Sequence, residues 1–260
     1  MVTAMPAPLR RTPDAQPSRL STLHAYYNAL LAAHGPQHWW PGRNRFEIIV
    51  GAILVQNTGW KNVERAIANL RAAKLLFPAA IRGVSSATLA KHLRPSGYFR
   101  QKSKTLKAFV AFLYENHGGS LNRFFATSTE LLRGQLVAVR GIGPETADAI
   151  LLYAGKHAVF VVDAYSRRIL ERHHLLPPDA QTNSRRSYEK IRSLFETHLP
   201  RDPQLFNEFH ALIVETGKRY CRKSNPLCSS CALSGFLPAR HRAARHQSPV
   251  NNQLSGITPA

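Results

Sequence analysis

Apolar residues recur along most of this chain at intervals of three and four, the repeat that lays one stripe along a helix. The pattern predicts helices over 19–34, 44–56, 61–73, 86–93, 101–116, 128–138, 145–155, 164–173, 185–198 and 204–219. Several have start signals: Asn44 before FEIIVGAIL, Ser128 ahead of Leu131 and Leu132, and Pro144–Glu145 opening the helix over 145–155. Short polar side chains accept from unpaired N–H groups of a first turn, and proline fits there because it has none to lose. Only VFVV (159–162) has strand character, and four residues read better as a buried extended linker. No internal repeat of solenoid length occurs. The fold class is all-α.

Both ends depart from this pattern. Residues 1–18 are rich in Pro, Ala and Ser, and residues 239–260 are polar and basic, so two disordered tails are expected. Apolar residues make up 44% of the chain, enough for a packed core. Charge narrows the partner: 35 Lys+Arg against 15 Asp+Glu give a formal +20, which favours a polyanion. The longest apolar runs, such as IIVGAILV (48–55), are too short to span a bilayer. No apolar core follows Arg10 and Arg11, which argues against a signal peptide. Nucleic acid is the expected partner, no membrane is, and a cytoplasmic monomer is expected, on the nucleoid if the cell is bacterial. All three cysteines fall between 221 and 231, an odd number that suits a reducing compartment or a metal site better than a disulfide framework.

Segment 139–150, VRGIGPETADAI, reads as a turn between two helices. Gly141 and Gly143 permit backbone angles closed to other residues. Such a turn either caps two helices or aims successive N–H groups at an anion, for which DNA phosphate is the natural candidate in a +20 protein. About twenty positions on, VVDAYSRR puts Asp163 at the head of a helix. Asp163 there is an N-cap, a catalytic carboxylate, or both.

Turn and aspartate together resemble the helix-hairpin-helix, Gly/Pro-rich loop and Asp signature of the endonuclease III superfamily of DNA glycosylases. WWP (39–41), GAILVQNT (51–58), RPSGYFRQKSK (94–104), GIGPETADAI (141–150), VVDAYS (161–166) and the run from Cys221 extend the likeness over roughly 20–235, closest to the 3-methyladenine DNA glycosylase branch. The resemblance implies a bilobal fold. Residues 38–148 would form a central helical domain holding the hairpin, and 19–37 with 149–238 a terminal lobe.

It also implies roles. Asp163 becomes the catalytic carboxylate, because a fixed anion stabilises the oxocarbenium-like charge that grows as an N-glycosidic bond breaks. Bifunctional members place a Schiff-base lysine before the Thr/Ser-Ala of the second hairpin helix. Here Glu145 precedes Thr146 and Ala147, and a carboxylate forms no Schiff base. A monofunctional enzyme is therefore expected, with a bifunctional lyase or a non-catalytic DNA clamp as alternatives. Trp39, Pro41 and Trp60 would wall the base pocket, although tryptophans at such positions also pack into cores. Gly141, Gly143, Arg140, Gln56, Tyr98, Lys102 and Lys104 would meet double-stranded DNA containing a damaged base. Tyr98 would act as wedge, and Gln56 would fill the gap left by the flipped base. The basic run around Tyr98 is otherwise a solvated helix face.

The chemistry needs no cofactor. Many members, however, hold a [4Fe–4S] cluster on C-x6-C-x2-C-x5-C. Cys221, Cys228 and Cys231 match, and Leu237 stands in the fourth place. Either the cluster is lost and Leu233, Phe236 and Leu237 pack the segment, or a substitute such as His241 completes a cluster or zinc site.

Overall fold

Capping side chains set where the helices begin. In the computed structural model, which describes residues 19–40, 42–182 and 184–238, Asn44 accepts from the Glu47 N–H at 2.9 Å and starts α2 (Arg45–Leu54). The tails expected over 1–18 and 239–260, with Pro41 and His241, lie outside the described residues. Helix α1 (Arg19–His34) precedes it, and α3 (Trp60–Ala72), α4 (Pro78–Gly83) and α5 (Ser86–Leu93) follow. Then come α6 (Phe99–His117), α7 (Leu121–Phe125), α8 (Thr129–Ala138) and α9 (Pro144–Ala149). After an extended stretch lie α10 (Ala164–Arg172), α11 (Arg185–His198) and α12 (Pro203–Arg219). Ser85, Ser120 and Ser184 cap α5, α7 and α11 as Asn44 caps α2. Ser128, read as a cap, makes no such bond at α8. The described residues contain no strand, and none of their helices is long and apolar enough to cross a membrane.

One contiguous core runs through the helices. Its centre is α2, where Phe46, Ile49, Val50, Ile53 and Leu54 are all buried, each worth about 1.5–3 kcal/mol relative to exposure. Helix α2 packs on α3, α6 and α9, while α1, with Leu23, Tyr26 and Leu30 buried, packs on α11 and α12. The two ends of the described chain thereby meet. Helix α9 does not stop at Ala149 but widens into a π-helical turn, Ile150–Ala154, in which Gly155 N–H reaches Ile150 O at 3.2 Å. That turn packs against both α2 and α12.

VFVV (159–162) is a buried extended linker, and two of its donors find side chains rather than a neighbouring strand. Phe160 N–H donates to Glu196 Oε1 at 3.0 Å and Val162 N–H to the Tyr188 hydroxyl at 3.4 Å. The Phe160 ring stacks on Phe195 at 3.8 Å.

A charged cluster ties these parts together. Asp148 on α9 has no exposed surface, and its two oxygens accept from Arg133 of α8 at 2.6 and 3.0 Å. Tyr188 of α11 donates to the same carboxylate at 2.8 Å. Arg133 also reaches Glu189 at 2.8 Å, and Arg192 bridges Glu189 and Glu196. Burial works against the Arg133 charge, and Asp148 and Glu189 outweigh it, so the guanidinium is held firmly protonated. Removing one partner strands the other charge in the core. Arg133→Ala or Asp148→Ala is expected to lower stability by about 3–5 kcal/mol in urea unfolding, whereas Arg133→Met with Asp148→Leu should lose less than either. A double variant weaker than both singles would contradict this account.

Candidate active site

Helices α8 and α9 meet at Val139–Gly143. Ile142 N–H donates to Val139 O at 3.0 Å, and the Ile142 side chain is buried beneath the turn. The two glycines differ. Gly141 has φ +89°, and a Cβ there would fall 2.1 Å from Thr105 Oγ1. Gly143 has φ −90° and ψ 176°, ordinary extended backbone, with open space where a Cβ would stand. The expectation that both need special angles holds for Gly141 and fails for Gly143. Gln56 braces the turn from α2's end, its amide donating to Gly141 O at 3.2 Å and Thr146 Oγ1 at 2.8 Å. Arg140 is exposed beside it.

Beneath the hairpin opens a cavity of about 760 Å³. Asp163 enters it from the head of α10, where Oδ1 accepts from Ser166 N–H at 2.8 Å and Ser166 Oγ at 2.9 Å. It is thus an N-cap and a cavity group at once. Burial alone would raise its carboxyl, but the His210 imidazole and then Ser166 outweigh that and hold it below the usual value. Glu145, on the first turn of α9, lines the same cavity. Its side chain is exposed to the solvent of the cavity, with protein crowded around it. Burial first, then the Asp163 charge, push its carboxyl up to about 7 against the pull of His210.

Aromatic rings form the walls. Trp40 stacks on Tyr153 at 4.7 Å and meets Trp60 edge-on at 5.0 Å and Trp39 at 5.4 Å. Gly51 leaves room for the pair, since a Cβ there would come within 3.3 Å of Trp40 and 3.4 Å of Trp60. Lys218 Nζ stands 5.5 Å from the Trp39 ring centre. Tyr153, His210 and Lys218 escaped the sequence reading, and Trp40 entered it only within WWP. Tyr153 and His210 sit inside apolar helical runs, where each reads as an ordinary core residue.

A family model described as HhH-GPD superfamily base excision DNA repair protein matches residues 50–197. The chain belongs to that family. A Methanocaldococcus jannaschii protein, provisionally named a DNA repair glycosylase, is 41% identical over 84% of this chain and 97% of its own. An H. pylori 3-methyladenine DNA glycosylase, solved with 1,N6-ethenoadenine, has TM-score 0.63 and 29% identity over 77% of this chain and 97% of that one. A trapped endonuclease III–DNA covalent intermediate has TM-score 0.72 at 18% identity over 87% and 99%, a likeness of fold. This HhH-GPD chain is therefore a base excision repair glycosylase by family.

Elsewhere in this HhH-GPD chain, the basic segment divides. Lys91, Arg94, Arg100 and Lys104 are exposed, as is Tyr98 at 72%. Tyr98 takes the left-handed conformation, φ 43°, after Gly97 at φ 67°, a costly backbone for an aromatic residue. Lys102 does not join them. It is 3% exposed, and Nζ donates to Leu54 O at 2.9 Å and Ser96 O at 2.6 Å. Its expected grip on DNA is thus corrected: the ammonium pins the turn before α6 to the end of α2. Periodicity alone does not separate a lysine whose head folds inward from one that reaches solvent.

Near the C-terminal end of the described chain, Arg172 donates to Cys221 Sγ at 2.8 Å, and Arg168 to Cys221 O at 2.6 Å. Leu233 and Leu237 are buried, and Phe236 tilts against Tyr26 at 4.8 Å. No group of three or more His, Cys, Asp or Glu among the described residues is arranged to hold a metal ion. A four-thiolate cluster does not fit, because its fourth place is a leucine side chain packed into the core.

The two hairpin glycines should separate in thermal unfolding. Gly141→Ala should cost about 1–3 kcal/mol from its positive φ, before counting the Thr105 collision. Gly143→Ala should stay within about 0.5 kcal/mol; equal losses would refute the distinction.

Proposed function

We propose that this glycosylase is monofunctional, hydrolysing the N-glycosidic bond of alkylated, 3-methyladenine-like purines and leaving the strand intact. The observation that supports it is the pairing of Asp163 with Glu145 in one tryptophan-walled cavity, Glu145 standing where the bifunctional members have their lysine. A flipped base would stack on Trp39 and Trp60, each contact worth about 1–3 kcal/mol. An alkylated purine is cationic, so indole faces add attraction and the base departs neutral without a general acid. Asp163, held ionised, stabilises the positive sugar and orients water at the anomeric carbon. The proton that water loses passes to a cavity carboxylate. Gly141, Gly143, Arg140 and Lys104 would contact backbone phosphates, Gln56 and Tyr98 the disturbed base stack.

Lys218 favours a second reading, for it is the one lysine among the described residues lining the cavity. Borohydride trapping on lesion-containing DNA decides between the two. No covalent adduct is expected, and an adduct abolished by Lys218→Ala would establish the lyase. Asp163→Asn should slow base release by about 100- to 1,000-fold while duplex binding persists. Unchanged release would leave only a non-catalytic DNA clamp.

The pH dependence follows from Glu145. A carboxyl raised to about 7 takes up a proton as pH falls through that value, and the cavity loses one negative charge. Release of a cationic base should therefore rise through an inflection near pH 7 in single-turnover assays, and Glu145→Gln should flatten it. An inflection that survives the substitution assigns it elsewhere.

A further inference from the structure

Beside Asp163 stands a buried imidazole with one nitrogen unpartnered. His210, on α12, is 4% exposed, and its Nε2 has no hydrogen-bond partner. Buried polar nitrogens are nearly always satisfied, so this one asks for an explanation. Nδ1 is committed, lying 2.6 Å from the Tyr153 hydroxyl. Nε2 faces Asp163 Oδ2 at 3.6 Å, just beyond hydrogen-bond length. Both Ser166 donors go to Oδ1, which leaves Oδ2 to His210.

In the imidazolium both nitrogens carry hydrogen, and in the neutral ring these contacts fix where the single proton sits. Were Nδ1 the protonated nitrogen, it would donate to Tyr153, and the Nε2 lone pair would point at a carboxylate oxygen. Two acceptors would then face each other in a buried site, which is repulsive. With Tyr153 O–H donating to Nδ1, Nε2 carries the hydrogen and aims it at Oδ2. The Trp39 indole N–H lies near the same tyrosine hydroxyl without completing a hydrogen bond, so it leaves that direction undisturbed. The Tyr153 ring stacks on Trp40, giving the pocket wall and the carboxylate a common support.

We propose that His210, oriented by the Tyr153 hydroxyl, is a positioning residue: its Nε2–H holds Asp163 Oδ2 toward the sugar of the flipped nucleotide. The inference rests on the glycosylase reading above. The 3.6 Å gap closes in the substrate complex, as catalytic contacts that are long in the free enzyme commonly do. Around His210 the ionisable groups are Asp163 at the head of α10, Glu145 on α9 and Tyr153 on the π-helical turn. Removing His210 takes away the partner that keeps Asp163 ionised, and its titration moves upward.

Carbon-13 NMR of the side-chain carboxyls, with Asp163→Asn for assignment, reads that titration without reference to activity. Single-turnover base release and affinity for a duplex holding a tetrahydrofuran abasic analogue are measured alongside. In His210→Phe the Asp163 midpoint should rise by about one pH unit. Release at pH 7 should fall about 100-fold, the penalty for a reacting group displaced by about 1 Å, with duplex affinity held within about threefold. His210→Gln, whose amide N–H can stand in for Nε2–H, should recover part of the rate. Tyr153→Phe removes only the hydroxyl and should move both readouts the same way by a smaller factor, which keeps the test alive if phenylalanine at 210 unfolds the protein. An unmoved Asp163 midpoint and rate in Tyr153→Phe and in each His210 variant that folds would overturn the proposal. So would duplex affinity lost in step with rate. Wild-type protein that releases no base from any lesion duplex removes the glycosylase reading instead, and the NMR titration alone then decides the His210–Asp163 contact.

Discussion

The buried Arg133–Asp148 pair is the constraint on which the rest of the site depends. Asp148 belongs to the second hairpin helix and is the point where α8, α9 and α11 are fastened. One oxygen of that carboxylate accepts from Tyr188, and the Tyr188 hydroxyl in turn accepts from Val162 N–H, one residue before Asp163. A single salt bridge therefore fixes the hairpin carrying Glu145 and, through one phenol, the linker carrying Asp163. Charges in a core are tolerated only when geometry satisfies them fully. Here that requirement serves as alignment, because the same carboxylate is shared by side chains of α8 and α11.

The two cavity carboxylates show how environment divides labour between like groups. Asp163 accepts two hydrogen bonds from Ser166 and faces an imidazole, so its charge is sheltered. Glu145, exposed within the cavity, has crowding protein and the neighbouring anion instead, and its proton is held to about 7. Pairs whose affinities for a proton are pushed apart are what acid–base chemistry at neutral pH uses. The indoles supply no charge, yet by excluding water from part of the cavity they strengthen every electrostatic term inside it.

Much of this was legible in the sequence, for reasons that differ between elements. Helices over 19–34, 86–93 and 185–198 are found at those bounds, the latter two because an amphipathic repeat and a serine cap agree. Pro78–Gly83 and Leu121–Phe125 are too short for a period to show. The π-helical turn follows from packing of Ile150–Ala154 between α2 and α12, which no local pattern encodes. Asp163 was visible because it stands at a helix head behind an apolar run. Tyr153 and His210 were not, since their polarity is balanced by each other across 57 positions of chain. Lys102 misled for the opposite reason: its charge advertised solvent while its ammonium was satisfied by two carbonyls inside.

The cysteine segment has a meaning beyond architecture. Leu233 and Leu237 in the core, with arginines on the Cys221 carbonyl and sulfur, hold it by forces that are always present in water. A domain closed by a metal cluster gains stability through mass action, and so inherits the metal's supply and its vulnerability to oxidants. The leucine burial and arginine hydrogen bonds seen among the described residues form without a metal ion.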